Sequence, residues 1–357
     1  MGRHLILMDA FKGSISSSEA SEAVASGIRA YDPTAIIDSL PVADGGEGTL
    51  DVYLALGYDI QTAMTMDLAG RPCEVEYAVK GTDAVIEVAR ICGLPMRRSE
   101  DDPVRMNTRG VGRLIEQLRD QGITQIRLAL GGTGTTDGGL GLLAEVGCRL
   151  EDASGDPISF QTNPLLETYA IQCPAYPVQL EALVDVTALY HGPDGPAYLF
   201  GPQKGLLRED IVKFDQQLER IGRLLGLENV KGAGAAGGLG GAIYALGGTI
   251  VPGAKTILQH LRVAERMKQA DYVWTGEGRV DRQSQIGKLP GEVTRMAKAA
   301  DVPCLILAGI VEENMPHALD CRSIHAGQAI TLEREQTMAR MSEQARKWLE
   351  ELSLKQG

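Results

Sequence analysis

Residues 4–11 read HLILMDAF, a run of four apolar side chains that meets an acid at Asp9 and then passes through Lys12 and Gly13. A short continuous apolar run of this kind suits a strand buried on both faces of a parallel sheet. Eight residues after the run, Ser16 is followed by Glu19, the spacing of a capping box, which predicts a helix through SEASEAVASGIRAY (18–31). Strand, acidic turn, capped helix is the opening of a βαβ unit.

Working outward, AIIDSLPVAD (35–44) is a second strand, and it delivers the turn VADGGEGT (42–49) at its end. The far end of the chain repeats the alternation. TILQHLRVAERMKQA (256–270) is an amphipathic helix, ADYVWT (270–275) a strand, PGEVTRMAKAA (290–300) a helix, PCLILAG (303–309) a strand, and CRSIHAG (321–327) a weaker strand before the helix REQTMARMSEQARKWLEEL (334–352). Strands alternating with helices imply an α/β fold with a doubly wound parallel sheet. Five strands fit the flavodoxin-like order.

The stretch between reads differently. CEVEYAV (73–79) and DAVIEVA (83–89) are close enough to pair antiparallel, while TRGVGRLIEQLRDQG (108–122) and IRLALGG (126–132) resemble a helix and a buried strand. The expectation is a flavodoxin-like domain made of residues 1–67 and 254–357, interrupted by an inserted α/β domain with a mixed sheet over residues 68–253. A ligand is expected between them, facing the strand C-termini of the first. A chain of 357 residues is also long for a single core.

Composition narrows the partners. The formal net charge of −12 argues against nucleic acid and anionic membrane, whose phosphates want basic surfaces. Glycine stands at 43 of 357 residues, about 12 per cent against roughly 7 per cent in average proteins, so backbone is expected to approach a ligand closely. The six cysteines (73, 92, 148, 173, 304 and 321) form no CxxC and are expected to be reduced, mostly buried thiols of a cytoplasmic protein. The N-terminal apolar run is too short for a signal peptide, and no stretch reaches the length of a membrane span. The pattern leaves homo-oligomerisation open.

The glycine-rich loops carry the chemistry. In DAFKGS (9–14), backbone N–H groups at a helix start favour an anion, with Lys12 to touch a phosphate and Ser14 to donate to one. Taken alone, that stretch reads more simply as a turn with a solvated lysine. In ADGGEGT (43–49), Asp44 and Glu47 suit Mg²⁺ or the uptake of an alcohol proton, with Gly45 and Gly46 freeing the backbone. A helix N-cap at Asp44 or Thr49 accounts for one carboxylate and not for two. LGGTGTTDGGLG (130–141) is no P-loop, yet Gly131 and Gly132 could wrap phosphates through unhindered amides, and Asp137 among them suggests a metal or a cap.

GAGAAGGLGG (232–241) holds a literal GxGxxG, but no strand precedes it and no acid follows at ribose distance, so a nicotinamide reading is rejected. TGEGRVDRQSQIGKLPGE (275–292) follows a strand and brings Gly276, Glu277, Arg279, Asp281, Ser284 and Lys288 into one loop. Arginine suits a substrate carboxylate, whose two oxygens match its fork, and lysine suits a transferring phosphoryl group. FGPQKG (200–205) presents Lys204, and VDVT (184–187) presents Asp185. Each of these two has an equal reading as an ordinary turn or strand-end residue.

In this order the motifs MDAFKGSISSSEA, PVADGGEGT, VIEVARICGL, DPVRMNTRGVG, LGGTGTTDGGLGL, FGPQKG, GAGAAGGLGGA, ADYVWTGEGRVDRQS and GKLPGEV resemble the class I glycerate kinases, from residue 8 to about 310. The resemblance implies ATP and Mg²⁺ as cofactors, glycerate as substrate and the 2-hydroxyl as acceptor. The family's GGSATNDGG is GGTGTTDGG here, and its Cys-Asp-Val-x-Asn-Pro is Val184-Asp185-Val186-Thr187-Ala188-Leu189, without the Asn-Pro. On this reading Asp44 or Asp185 accepts the hydroxyl proton, Lys12, Lys204 and Lys288 neutralise phosphate oxygens, Glu47 and Asp281 hold magnesium, and Arg279, or Arg109 as second choice, grips the carboxylate. The rivals are a kinase of another small hydroxy acid and a catalytically silent binding protein on the same scaffold.

Overall fold

The computed structural model describes residues 2–285 and 288–356. Ile286 and Gly287 of the fifth glycine loop lie outside the described residues. The chain divides into two compact units, Met1–Asp44 with Ala254–Gly357, and Gly45–Gly253.

The first unit is built on a five-stranded, wholly parallel sheet. In sheet order its strands are Asp320–Ser323, Cys304–Ala308, Tyr272–Gly276, Arg3–Met8 and Ile36–Ser39. Numbered along the chain within this unit, that order read from its other edge is 2-1-3-4-5, the flavodoxin-like arrangement. The run at Leu5–Met8 is buried throughout, as a strand covered on both faces requires. Ser16 and Glu19 form the expected capping box and start the helix Ser17–Tyr31. That helix packs on Arg334–Gln356 so closely that a side chain at Gly27 would meet the Ser342 carbonyl oxygen. Trp274 and Trp348 meet edge to face beneath it, with ring centroids 5.8 Å apart.

The stretch 256–270 was expected to be one helix. The structure makes it two, Gly253–His260 and Val263–Met267, because Arg262 takes the left-handed conformation (φ 55°) and ends the first.

The second unit holds a six-stranded mixed sheet in the order Thr249–Pro252, Gln179–Val184, Gln125–Ala129, Asp83–Glu87, Pro72–Lys80 and Asp59–Met66. Its last two ladders are antiparallel, including the expected pairing of 73–79 with 83–89. The expected boundary at 67/68 falls inside this unit. Asp59–Met66 is the sheet's antiparallel edge strand, and the helix Thr49–Ala55 is fastened to the same sheet where Glu87 Oε1 accepts from the Leu50 N–H at 2.8 Å. Residues 45–67 therefore belong with the second core.

The reading of six reduced cysteines is corrected for one pair. Cys148 and Cys173 are disulfide-bonded, with Cα atoms 4.2 Å apart, because they stand one position beyond Arg149 and Gln172, which face each other in a short antiparallel ladder. Cys73, Cys92, Cys304 and Cys321 are free thiols. Among the described residues no helix is long and apolar enough to cross a membrane.

Candidate active site

In the first sheet the chain leaves Arg3–Met8 toward one edge and Tyr272–Gly276 toward the other. Between two such strands the connections part, and a crevice opens at their carboxyl ends. Met8 is paired with Gly276, so Asp9 and Glu277 leave the sheet side by side, and the Asp9 N–H donates to the Gly276 carbonyl at 2.9 Å. Gly276 itself has a packing reason to be glycine: a Cβ there would lie 1.7 Å from the Leu307 carbonyl oxygen of the neighbouring strand.

A cavity of about 330 Å³ lies at this point. Asp9, Lys12 and Ser14 reach it from the first strand's exit and Asp44 from the second's. Glu277, Arg279, Asp281 and Lys288 reach it from the exit of Tyr272–Gly276, and Phe11, Ile310, Ile330 and Leu332 give it an apolar side. Six of the expected site residues, Lys12, Ser14, Asp44, Arg279, Asp281 and Lys288, are thus brought to one cavity from three separate strand ends. Their supports are visible. Ser14 Oγ donates to Thr337 Oγ1 at 2.9 Å, tying the first loop to the C-terminal helix. Arg279–Val280 pairs in parallel with Ile310–Val311, and Arg279 meets Glu312 at 3.0 Å. The Asp281 N–H donates to Ser284 Oγ and the Ser284 N–H returns to Asp281 Oδ1.

The charge balance is tight. Asp44 is only 9 % exposed and Glu277 8 %. Burial holds the Asp9 carboxyl well above the usual carboxylate range; the carboxylates of Asp44 and Glu277 push it the same way, while the Ala10 N–H at 2.8 Å and Lys12 oppose them. Burial also raises Glu277, against the lowering effects of Ser284 and Lys288 and with Asp44 and Asp281 adding to the rise. Lys288 Nζ stands 3.6 Å from Glu277 Oε2, whereas Glu277 Oε1 is buried with no hydrogen-bond partner among the described residues.

The remaining expected residues belong to the second unit. Gly45 (φ 99°) and Gly46 sit against Gly131, where a Cβ would come within 2.8 Å of the Gly46 Cα. Gly45 also lies beside Leu183, so these glycines gather where the strands Gln125–Ala129 and Gln179–Val184 end; Gly132 (φ 74°) continues the turn and half-buried Asp185 follows the second strand directly. Glu47 is exposed on the same loop as Gly45. Asp137 is a different case. It is fully buried, and it accepts from the Thr108 N–H and hydroxyl at 2.8 Å each and from the N–H groups of Gly139 and Gly141, so its two oxygens hold the loop together. Lys204 is also enclosed, 4 % exposed, with Nζ donating to the Thr135 carbonyl at 2.6 Å; burial brings its pKa down to about 8. Arg109 is committed to Glu145 at 2.6 Å and to the face of Phe160. The 232–241 stretch packs on the 133–138 loop, the Gly138 N–H donating to the Gly237 carbonyl.

Asp9, Glu277 and His325 line the cavity and were given no role from the sequence. For Asp9 and Glu277 the available signal was position, since each directly follows a strand that a doubly wound sheet places at its switch point. His325 gave none; it sits at the end of a weak strand, and its Nδ1 accepts from Arg340 at 2.9 Å. Among the described residues no group of three or more His, Cys, Asp or Glu side chains is arranged to hold a metal ion.

Comparison with known proteins agrees with this architecture. The model of the glycerate kinase family matches residues 4–355. A glycerate kinase of Halalkalibacterium halodurans is 37 % identical over 325 residues, covering 87 % of this chain and 86 % of that protein. The glycerate 2-kinase of Escherichia coli is 34 % identical over 328 residues, with 87 % and 86 % covered. A crystal structure assigned as glycerate kinase 2 from Salmonella typhimurium LT2 superposes with a TM-score of 0.81 at 29 % identity, covering 99 % of each chain. A match that spans both units and every loop described above places the chain in the glycerate kinase family.

Proposed function

We propose that this enzyme transfers the γ-phosphoryl group of ATP to the 2-hydroxyl of D-glycerate, giving 2-phospho-D-glycerate and ADP. The observation that carries the reading is the gathering of Lys12, Asp44, Arg279, Asp281 and Lys288 around one cavity at the switch point of the first sheet. Phosphoryl transfer asks little covalent work of a protein and much positioning and charge neutralisation, which this set supplies. The 2-hydroxyl oxygen attacks the γ-phosphorus. A new P–O bond forms while the bond to the ADP oxygen breaks, and the hydroxyl proton passes to Asp44. Lys12 and Lys288 face the phosphate oxygens as point charges, and Arg279 offers its fork to the glycerate carboxylate. Lys204, already bonded to Thr135, acts by shaping the glycine loop.

Magnesium fits this site as a passenger of the nucleotide. No cluster of three acids is arranged for it among the described residues, but Mg²⁺ bound with a nucleotide takes one or two carboxylates and fills the rest of its shell with phosphate oxygens and water. Asp281 on the cavity wall is a hard oxygen donor of that kind; Glu47, the other acid expected to hold the ion, is exposed on the loop that opens the second unit. When bound, the ion neutralises charge on the phosphate oxygens.

The test is ADP release in a coupled assay with C3 to C6 hydroxy acids. D-glycerate is expected to be the best acceptor. In the proton-coupled phosphorus spectrum, the 2-ester gives a doublet and the 3-ester a triplet. Preference for a longer acid, or a triplet, overturns the assignment.

A further inference from the structure

Glu277 carries a carboxylate oxygen with no hydrogen-bond partner among the described residues. Its side chain lies on the wall of the cavity, 8 % exposed, with Oε2 held 3.6 Å from Lys288 Nζ and Oε1 buried without a partner among the described residues. A buried ionised acceptor left unsatisfied costs far more than a made hydrogen bond returns, so such a group in a cavity wall marks the place of a donor on the ligand.

Resting on the reading above, the ligand's chemistry identifies that donor. Glycerate brings one carboxylate and two hydroxyls. Arg279 is assigned to the carboxylate and Asp44 to the hydroxyl that reacts. One hydroxyl and one carboxylate oxygen remain. The ion pair with Lys288 at 3.6 Å engages Oε2, so Oε1 is the oxygen left to accept from a hydroxyl. We infer that Glu277 is a specificity-determining residue, whose Oε1 accepts a hydrogen bond from the 3-hydroxyl of glycerate, the one that is not phosphorylated.

A site built to bond a substrate hydroxyl rejects the analogue that lacks it by large factors, because its own polar group is then left unpaired. D-lactate is glycerate without the 3-hydroxyl. Binding of both acids is measured by calorimetry in EDTA, together with kcat/KM with MgATP, for the wild type, Glu277→Leu and Glu277→Gln. The wild type is expected to favour glycerate by at least about 100-fold. Glu277→Leu should bring the ratio within about fivefold by weakening glycerate rather than by strengthening lactate, while Glu277→Gln, which keeps an acceptor oxygen, should retain at least about tenfold. Should Glu277→Leu fail to fold, the glutamine variant decides: a ratio as low as fivefold there overturns the inference. So does a wild type that binds the two acids equally or binds neither, or a Glu277→Leu ratio equal to the wild type's. The EDTA arm separates a hydroxyl acceptor from a cation ligand, since a carboxylate serving only a cation would discriminate nothing there. Selective binding of glycerate with no ADP formed would sink the kinase reading and leave this one standing; equal phosphorylation of both acids would do the reverse.

Discussion

Four carboxylates, Asp9, Asp44, Glu277 and Asp281, share the cavity of the first unit with two lysines, each in different surroundings. Replacing Asp44 by Asn keeps shape and removes the proposed proton acceptor, so kcat should fall at least about 100-fold with the KM for glycerate little changed; a kcat within about threefold of wild type would remove Asp44 from the chemistry. Asp9 has a sign that can be checked. Its folded carboxyl binds a proton more tightly than the unfolded one, which titrates at about 3.8. Folding therefore takes up a proton between that pH and the raised value, and stability falls as pH rises across the interval. Asp9→Asn should melt above wild type at pH 8, and the gain should shrink toward pH 4. Lys204 works in the opposite window. Its pKa, lowered to about 8 from about 10.5, makes stability rise with pH between those values. The wild type should gain melting temperature relative to Lys204→Met between pH 8 and pH 10. Residues such as Lys12, Asp44 and Arg279 were legible because each follows a strand directly or sits in a glycine turn. Asp137 and Lys204 sit in loops of the same look, and only their burial shows them to be holding the loop.

At the scale of elements, the clearest local signal was the capping box. The Ser16 side chain accepts from the Glu19 N–H and Glu19 returns to the Ser16 N–H, so Ser16→Ala should cost about 1 kcal/mol in chemical denaturation, with kcat unaffected. Gly276 has a second kind of signal, silent in the sequence. Ala at this position would press against the Leu307 carbonyl where two strands run in parallel, and is expected to cost about 1–3 kcal/mol or more as an overpacked core site. A melting temperature equal to wild type would show that the strands can part there without loss. The helix expected at 256–270 breaks at Arg262 although the apolar spacing continues through it, because periodicity describes a face and says nothing of where one residue's backbone turns left-handed.

For the whole molecule, withdrawing divalent cations with EDTA should lower turnover with ATP at least about 100-fold, with recovery on adding Mg²⁺ back; full activity in EDTA would mean that the lysines alone carry the phosphate charge. From the sequence by itself came the alternation of strand and helix at both chain ends, the parallel sheet with an interruption, and the loops that line the cavity of the first unit, since all of these rest on period, caps and turns that act between near neighbours. Tertiary structure alone decided that residues 45–67 join the second unit, that Cys148 meets Cys173, and that Asp9 and Glu277 emerge side by side from strands 268 positions apart in register. Those outcomes depend on which strand lies beside which. Pairing of that kind is settled by the burial of whole sheet faces, a sum over distant residues that no local stretch contains.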